Sequence, residues 1–182
     1  TDYNAEQAPI TADKLGENHG YFLPYLMGER SPINDTNARG TFIGMTMDTT
    51  RADLTQAVLE GVAFAIRDSV EVAKSLGVSI PSSMLCGGGA KSPLWKQIMA
   101  NVLNIPLHSP ASEQGPGMGG AMLAMVACGA YPDVQTVCSR LVHISSTMNP
   151  TPELAAKYER RYQAFKQIYP ACKGLFAELV KE

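Results

Sequence analysis

A chain of 182 residues, 45% apolar and 18% charged, is long enough for one full core or two very small ones, and too apolar for a disordered tail. Its 15 lysines and arginines against 17 acids leave a formal net charge of −2, so no broad positive field favours nucleic acid or an anionic membrane. The longest apolar runs, such as 121–128, stop well short of the roughly 20 residues that cross a bilayer.

The chain opens on Thr1-Asp2-Tyr3-Asn4, with neither the basic start nor the apolar stretch of a secretory signal, and reads as a cut edge. Residues 1–20 are polar, carry Pro9 and Gly16, and show no sustained period. They read as a lead-in, with order beginning near Tyr21. Residues 21–26 form a short apolar run that suits an edge strand, because Pro24 cannot donate to a ladder. A polar loop, 28–40, follows and is bracketed by apolar strands; its Asn34-Asp35-Thr36 matches a glycosylation acceptor but reads as plain loop.

Residues 41–46 read as a strand, after which Thr50 and Asp53 have the spacing of a capping box that opens a helix over 51–75. The apolar residues of that helix do not fit one narrow stripe, so more than one of its sides is covered, and Gly61 within it implies close approach by a neighbouring backbone. Gly77 ends it. A strand at 83–86 runs directly into Gly87-Gly88-Gly89, and Ser92-Pro93 has the form of an N-cap followed by proline in the first helical turn, opening a helix to Val102. Strand, glycine turn and helix make an α/β unit.

A strand at 105–108, a small-residue helix over 116–128 capped by Gly129, a short helix at 133–141 and an extended piece at 142–148 come next. Beyond Pro152, Tyr158, Tyr162, Phe165, Tyr169, Cys172 and Phe176 recur in steps of three and four, the core face of a closing helix broken or bent at Pro170. Cys86, Cys128, Cys138 and Cys172 form no CxxC pair and lie in apolar contexts, which favours buried structural thiols in a reducing cytosol over a zinc site.

The strongest chemical signal is the glycine turn. Three successive glycines let a backbone come close to a ligand, while the helix that follows offers unpaired N–H groups and its positive dipole end to an anion. A nucleotide suits that environment, and so does no ligand at all, since such a turn is often only a tight connection. A Walker A loop is excluded because Ala90, not glycine, precedes Lys91. Gly115-Pro116-Gly117-Met118-Gly119-Gly120 matches GxGxxG with Asp133 downstream, but no strand leads into it at once, and close helix packing accounts for it better. His19, His108 and His143 lie far apart, no GxSxG elbow is present, and the acid pairs Asp48/Asp53 and Glu29/Asp35 need no catalytic explanation. No catalytic or metal-ligating set is assigned.

Gly40-Thr41-Phe42-Ile43-Gly44-Met45, then Asp53-Leu54-Thr55-Gln56-Ala57-Val58-Leu59-Glu60 after seven residues, resembles the C-terminal signature of the FGGY carbohydrate kinases. Gly87-Gly88-Gly89-Ala90 is similar to the adenosine-binding motif of the same family. The run from Phe22 through Leu23, Pro24, Tyr25, Leu26, Met27, Gly28, Glu29 and Arg30 to Ser31-Pro32 looks like its xylulokinase branch.

The resemblance implies an α/β fold, RNase H-like in the manner of actin and hexokinase, with a mixed sheet flanked by helices. Residues 21–182 would be the C-terminal nucleotide-binding domain and 1–20 the end of the preceding part of the kinase. It places Gly88 and Gly89 against the adenine and ribose of ATP, with Gly87 allowing the turn. Ser92 stands where several relatives carry an asparagine that contacts adenine, a substitution that leaves that contact open. The implied cofactors are ATP and Mg2+ carried by the nucleotide. The implied partners are an N-terminal kinase domain holding the catalytic aspartate and a sugar, D-xylulose phosphorylated at its 5-hydroxyl, in a cytoplasmic enzyme that is compatible with a homodimer. Glycerol, ribulose or gluconate as the acceptor, and a non-catalytic actin-like nucleotide-binding module, are the alternatives. The loop 28–39 would face the interdomain cleft or form a salt-bridged brace through Glu29, Arg30, Asp35 and Arg39, and 113–120 would be an interdomain connection. The fragment alone should lack turnover.

Overall fold

In the computed structural model, which describes residues 2–112 and 115–180, the organising element is a long helix, α2 (Arg51–Ser75). Its start is set by the capping box read from the sequence: Asp53 N–H donates to Thr50 Oγ1 at 3.2 Å, and Thr50 N–H donates to Asp53 Oδ2 at 2.8 Å. Two of the free amides at the helix start are satisfied this way. Gly61 is needed where it stands, because an added Cβ would lie 2.1 Å from the carbonyl oxygen of Phe22 in strand β1 (Tyr21–Leu23). That strand pairs antiparallel with β2 (Thr41–Ile43), Phe22 opposite Phe42, and packs on α2.

The second sheet holds β3 (Ser83–Met84), β4 (Leu107–Pro110) and β5 (Ile144–Met148) in the order β3-β4-β5. β3 runs parallel to β4, and β5 antiparallel to it, so the sheet is mixed. The parallel step is made through α3 (Pro93–Leu103), the α/β crossover read from the sequence. Ile98, Ala100 and Val102 on α3 are fully buried between α2 and the C-terminal helix α6 (Pro152–Leu179). The aromatic stripe on α6 is core: the Phe64 ring of α2 sits 5.2 Å from Phe165, 6.0 Å from Tyr162 and 6.2 Å from Tyr158, centroid to centroid. Buried Asn101 ties α3 to the start of α6, accepting from Thr151 N–H at 2.7 Å through Oδ1.

Four expectations are corrected. Order does not begin at Tyr21: residues 3–7 form helix α1 (Tyr3–Gln7), a 3-10 turn follows at Ala12–Lys14, and Ile10 and Leu15 are buried in the main core. Two apolar residues in a polar stretch have no period to read, yet they are what pins the segment down. Of the break or bend expected at Pro170, the break does not occur: helix α6 continues through it. The proline ring is exposed, and Ile168 and Phe176 on either side are buried, so packing outweighs one missing backbone bond. The cysteines are not buried: Cys86 and Cys128 are exposed, Cys138 and Cys172 partly so.

The loop 28–39 is not salt-bridged among the described residues. Reciprocal backbone bonds join Glu29 and Asp35 at 2.9 and 2.8 Å, and Asp35 Oδ2 accepts from Tyr169 OH at 2.7 Å. Helix α4 (Gly115–Ala127) is apolar yet has no buried residue, packing on α5 (Val134–Leu141) and leaving Leu123 60% exposed. Of the connection read at 113–120, Glu113 and Gln114 lie outside the described residues, and the remainder is the first turns of α4. No helix among the described residues is long and apolar enough to cross a membrane.

Candidate functional site

Strand β3 ends two residues before the glycine turn. Gly87 has φ +91°, a conformation an L side chain rarely adopts, and it starts a 3-10 turn over Gly88–Lys91. The first turn bond is Ala90 N–H to Gly87 O at 3.1 Å, which leaves the Gly88 and Gly89 amides ahead of the ladder. A Cβ at Gly87 or Gly88 would meet only open space. At Gly89 it would lie 2.2 Å from Trp95 Cζ3, so this third glycine is what lets the indole press against the turn.

Ser92 closes the turn and starts α3. Its N–H donates to Gly89 O at 3.0 Å, and its Oγ accepts from Trp95 N–H at 3.1 Å. With Pro93 in the first helical turn and Ser92 capping, the start of α3 has spent much of its donor capacity internally. The open amides of the region therefore belong to the glycine turn, not to the helix start expected from the sequence.

Gly88, Gly89 and Ser92 share one cavity of about 790 Å3 that is also lined by Val58, Leu59 and Val62 of α2, by Tyr3 and Gln7 of α1, and by Lys91. That is a size that takes a small organic ligand, and an apolar wall with a few converging polar groups is what such sites are made of. Gly87 instead lines a neighbouring cavity of about 560 Å3, with Cys86, Met118 and Met122, while Gly88 and Lys91 border both. The structure thus brings together three of the four glycine-turn residues singled out in the sequence, and assigns the fourth to the bend itself. Trp95 is a wall of the larger cavity, and its Nε1, buried, has no partner among the described residues.

Gln7 and Tyr3 were not legible as site residues. Ser92 Oγ donates to Gln7 Oε1 across a separation of 85 positions, and no local pattern encodes such a pairing. A third cleft of about 530 Å3 between α2 and α6 is rich in charge, but its charges answer one another: Arg67 pairs with Glu159 and Glu71, and Tyr162 OH donates to Asp68 at 2.7 Å. Burial pushes the Asp68 carboxyl above its ordinary range, against the pull of Tyr162. Among the described residues no group of three or more His, Cys, Asp or Glu side chains is placed to hold a metal ion.

Residues 3–128 match the FGGY family of carbohydrate kinases, C-terminal domain. This chain belongs to that family. It is 34% identical over 169 residues to a xylulose kinase of Staphylococcus epidermidis, a stretch that is 93% of this chain and 34% of that protein. Two solved structures from Lactobacillus acidophilus, a gluconate kinase and a ligand-bound xylulose kinase, superpose with TM-scores of 0.86 and 0.85, both at 27% identity. Each is matched over 98% of this chain, which covers 35% of the first and 36% of the second. The chain therefore spans about a third of the length of the curated relatives it matches. The fold is the α/β, RNase H-like arrangement of the actin and hexokinase type, a mixed sheet flanked by helices. The FGGY match starts at residue 3, and helix α1 and the segment that packs Ile10 and Leu15 fall inside it.

Proposed function

We propose that this chain is the nucleotide-binding part of an FGGY sugar kinase that transfers the γ-phosphoryl group of ATP to the 5-hydroxyl of D-xylulose. The observation that carries the reading is the open face of Gly88, beside Gly89 and the Trp95 ring packed on it, on a cavity shared with Ser92, in a chain of a carbohydrate-kinase family. A glycine turn without side chains lets a flat base lie against backbone, and Val58, Leu59 and Val62 of α2 supply apolar surface in the same cavity. In phosphoryl transfer the protein acts by positioning and electrostatics, so the part of the kinase formed here orients the nucleotide. The attacking hydroxyl gives its proton to an aspartate carboxylate, acting as general base, that by the family resemblance lies outside these 182 residues. Mg2+ travels on the phosphate oxygens of the nucleotide, as is usual for a cation that keeps most of its waters.

The choice of D-xylulose is supported by the xylulose kinases of Staphylococcus epidermidis and Bacillus subtilis, 34% and 32% identical to this chain. A gluconate kinase backbone fits equally well, so the sugar is to be read from a panel, not from the fold. The free thiols fit a reducing compartment such as the cytoplasm. Alone, the chain is proposed to bind nucleotide without turnover, its partner being the rest of the kinase.

Calorimetric titration of the chain with ATP and with NAD tests the nucleotide assignment, and NAD binding without ATP binding rejects it. For the sugar, the kinase polypeptide containing this chain is assayed on D-xylulose, ribulose, gluconate and glycerol. A kcat/KM highest for any acceptor other than D-xylulose overturns the substrate.

A further inference from the structure

Resting on the nucleotide-site reading above, we infer that Gln7 is a base-contacting residue of the site, its side-chain NH2 donating to a ring nitrogen of the purine. The argument starts from the hydroxyl of Ser92. A serine hydroxyl has one proton and two lone pairs. One lone pair takes Trp95 N–H at 3.1 Å, as an N-cap does, and the proton goes to Gln7 Oε1. Ser92 therefore has no proton left for a ligand.

The same bond fixes the Gln7 amide. With Oε1 held by Ser92, the two protons of Nε2 are not used in that bond, and no described residue accepts them. Gln7 and Ser92 line the cavity together with Gly88 and Gly89. Val58, Leu59, Val62 and the Trp95 ring offer a base surface, and Asp2, Tyr3, Asn4 and Lys91 are the other polar side chains that line the cavity. A purine in this space presents ring nitrogens as acceptors, and among the donors at the cavity Gln7 Nε2 belongs to an amide that a bond to the glycine-turn cap, Ser92, already holds in place. Ser92 is then the residue that positions the amide, and Gln7 the one that reads the base. A serine at the start of α3 is thereby compatible with base recognition, because the amide function is supplied from α1, 85 positions away.

The test uses the fluorescence of Trp95, the one tryptophan of the chain, to follow binding of ATP and of adenosine to the 182-residue protein. Gln7→Met removes the donor; Gln7→Glu keeps an oxygen for Ser92 to donate to while removing both N–H donors, so it serves should Gln7→Met unfold. The expected result is a loss of affinity of about five- to tenfold, the scale of one hydrogen bond, equal for ATP and adenosine because the contact is to the base, with the thermal midpoint of the glutamate variant kept. Wild-type affinity in both variants, or a loss for ATP alone, overturns the role of Gln7 and leaves the nucleotide site standing. No response of the wild-type chain to either ligand removes the site, and this inference with it.

Discussion

Arg161 Nη2 stands 2.7 Å from Glu60 Oε2, with the two side chains only 8% and 1% exposed, and this pair locks α6 to α2. Arg161 also donates from Nε to Glu60 at 3.1 Å and from Nη2 to Gly20 O at 2.9 Å, while its guanidinium lies 4.3 Å over the Tyr21 ring. Gln56 and Tyr158 donate to the other carboxylate oxygen at 2.7 and 3.1 Å. The cluster thus joins both long helices to the strand that begins at Tyr21.

Removing one member leaves a buried charge without its partner. Arg161→Met is expected to lower stability by about 3–5 kcal/mol, read as a shift of the urea midpoint. Burial already pushes the Glu60 carboxyl above its ordinary range against the pull of Arg161, and without the guanidinium it goes higher. A carboxyl whose folded value is raised contributes stability below its unfolded value of about 4.3 and loses it as pH rises, so the deficit of the variant grows from about pH 4 toward neutrality. A deficit independent of pH would show that Glu60 does not titrate as placed.

Gly61→Ala sets two effects against each other. Alanine gains about 1 kcal/mol of helix propensity over glycine. Its Cβ would fall 2.1 Å from Phe22 O, and backbone on both sides leaves no flexible side chain to yield. The expected outcome is a net loss of about 1–3 kcal/mol in chemical denaturation, as overpacking costs. A stabilised variant would mean that β1 and α2 are further apart than described.

Much of this was legible from local chemistry. Thr50 and Asp53 announced the start of α2, Gly61 announced a close backbone, and Ser92-Pro93 announced α3, because each is a short-range rule between residues one to three apart or a single residue with one physical use. The glycine turn was visible as an opening but not the rest of its lining. Gln7 meets Ser92 only after α1 folds back onto α2, and polar residues in a stretch without period carry no signal of that. Ile10 and Leu15 were missed for the same reason. Pro170 and the cysteines misled because tertiary packing decided them: the first is carried by buried neighbours, while Cys86 and Cys128 are exposed beyond the ends of β3 and α4 and Cys138 and Cys172 sit on helices at partly buried positions despite apolar surroundings in sequence.

The last two glycines of the turn separate structure from binding. Gly88→Ala adds a methyl into open space, so its thermal midpoint should match the parent while ATP affinity falls about tenfold, or ~1.4 kcal/mol. Gly89→Ala would put Cβ 2.2 Å from Trp95 Cζ3, forcing the indole aside. It should cost about 1–3 kcal/mol of stability and shift the tryptophan emission before any ligand is added. If Gly88→Ala binds ATP as the parent does, the base does not lie against this turn.

Tyr169 OH donates to Asp35 Oδ2 at 2.7 Å, holding the 28–39 loop to α6, and the two groups give that contact opposite pH limits. The Tyr169 bond, with the Asn37 amide behind it, holds the Asp35 carboxyl below its ordinary value, so its contribution is present above the unfolded value of about 3.9 and is lost as pH falls through the folded one. Desolvation, then the bond and charge of Asp35, push the Tyr169 phenol up to about 12. Its contribution is complete below the unfolded value of about 10 and is lost as pH rises from there. Between those limits the loop is tied down; outside them it is released. Tyr169→Phe should let the Asp35 carboxyl return toward its ordinary value in an NMR titration and speed amide exchange in the loop at neutral pH, with exchange in the core of α2 unchanged. An Asp35 titration identical in both proteins would show that this contact does not hold the loop.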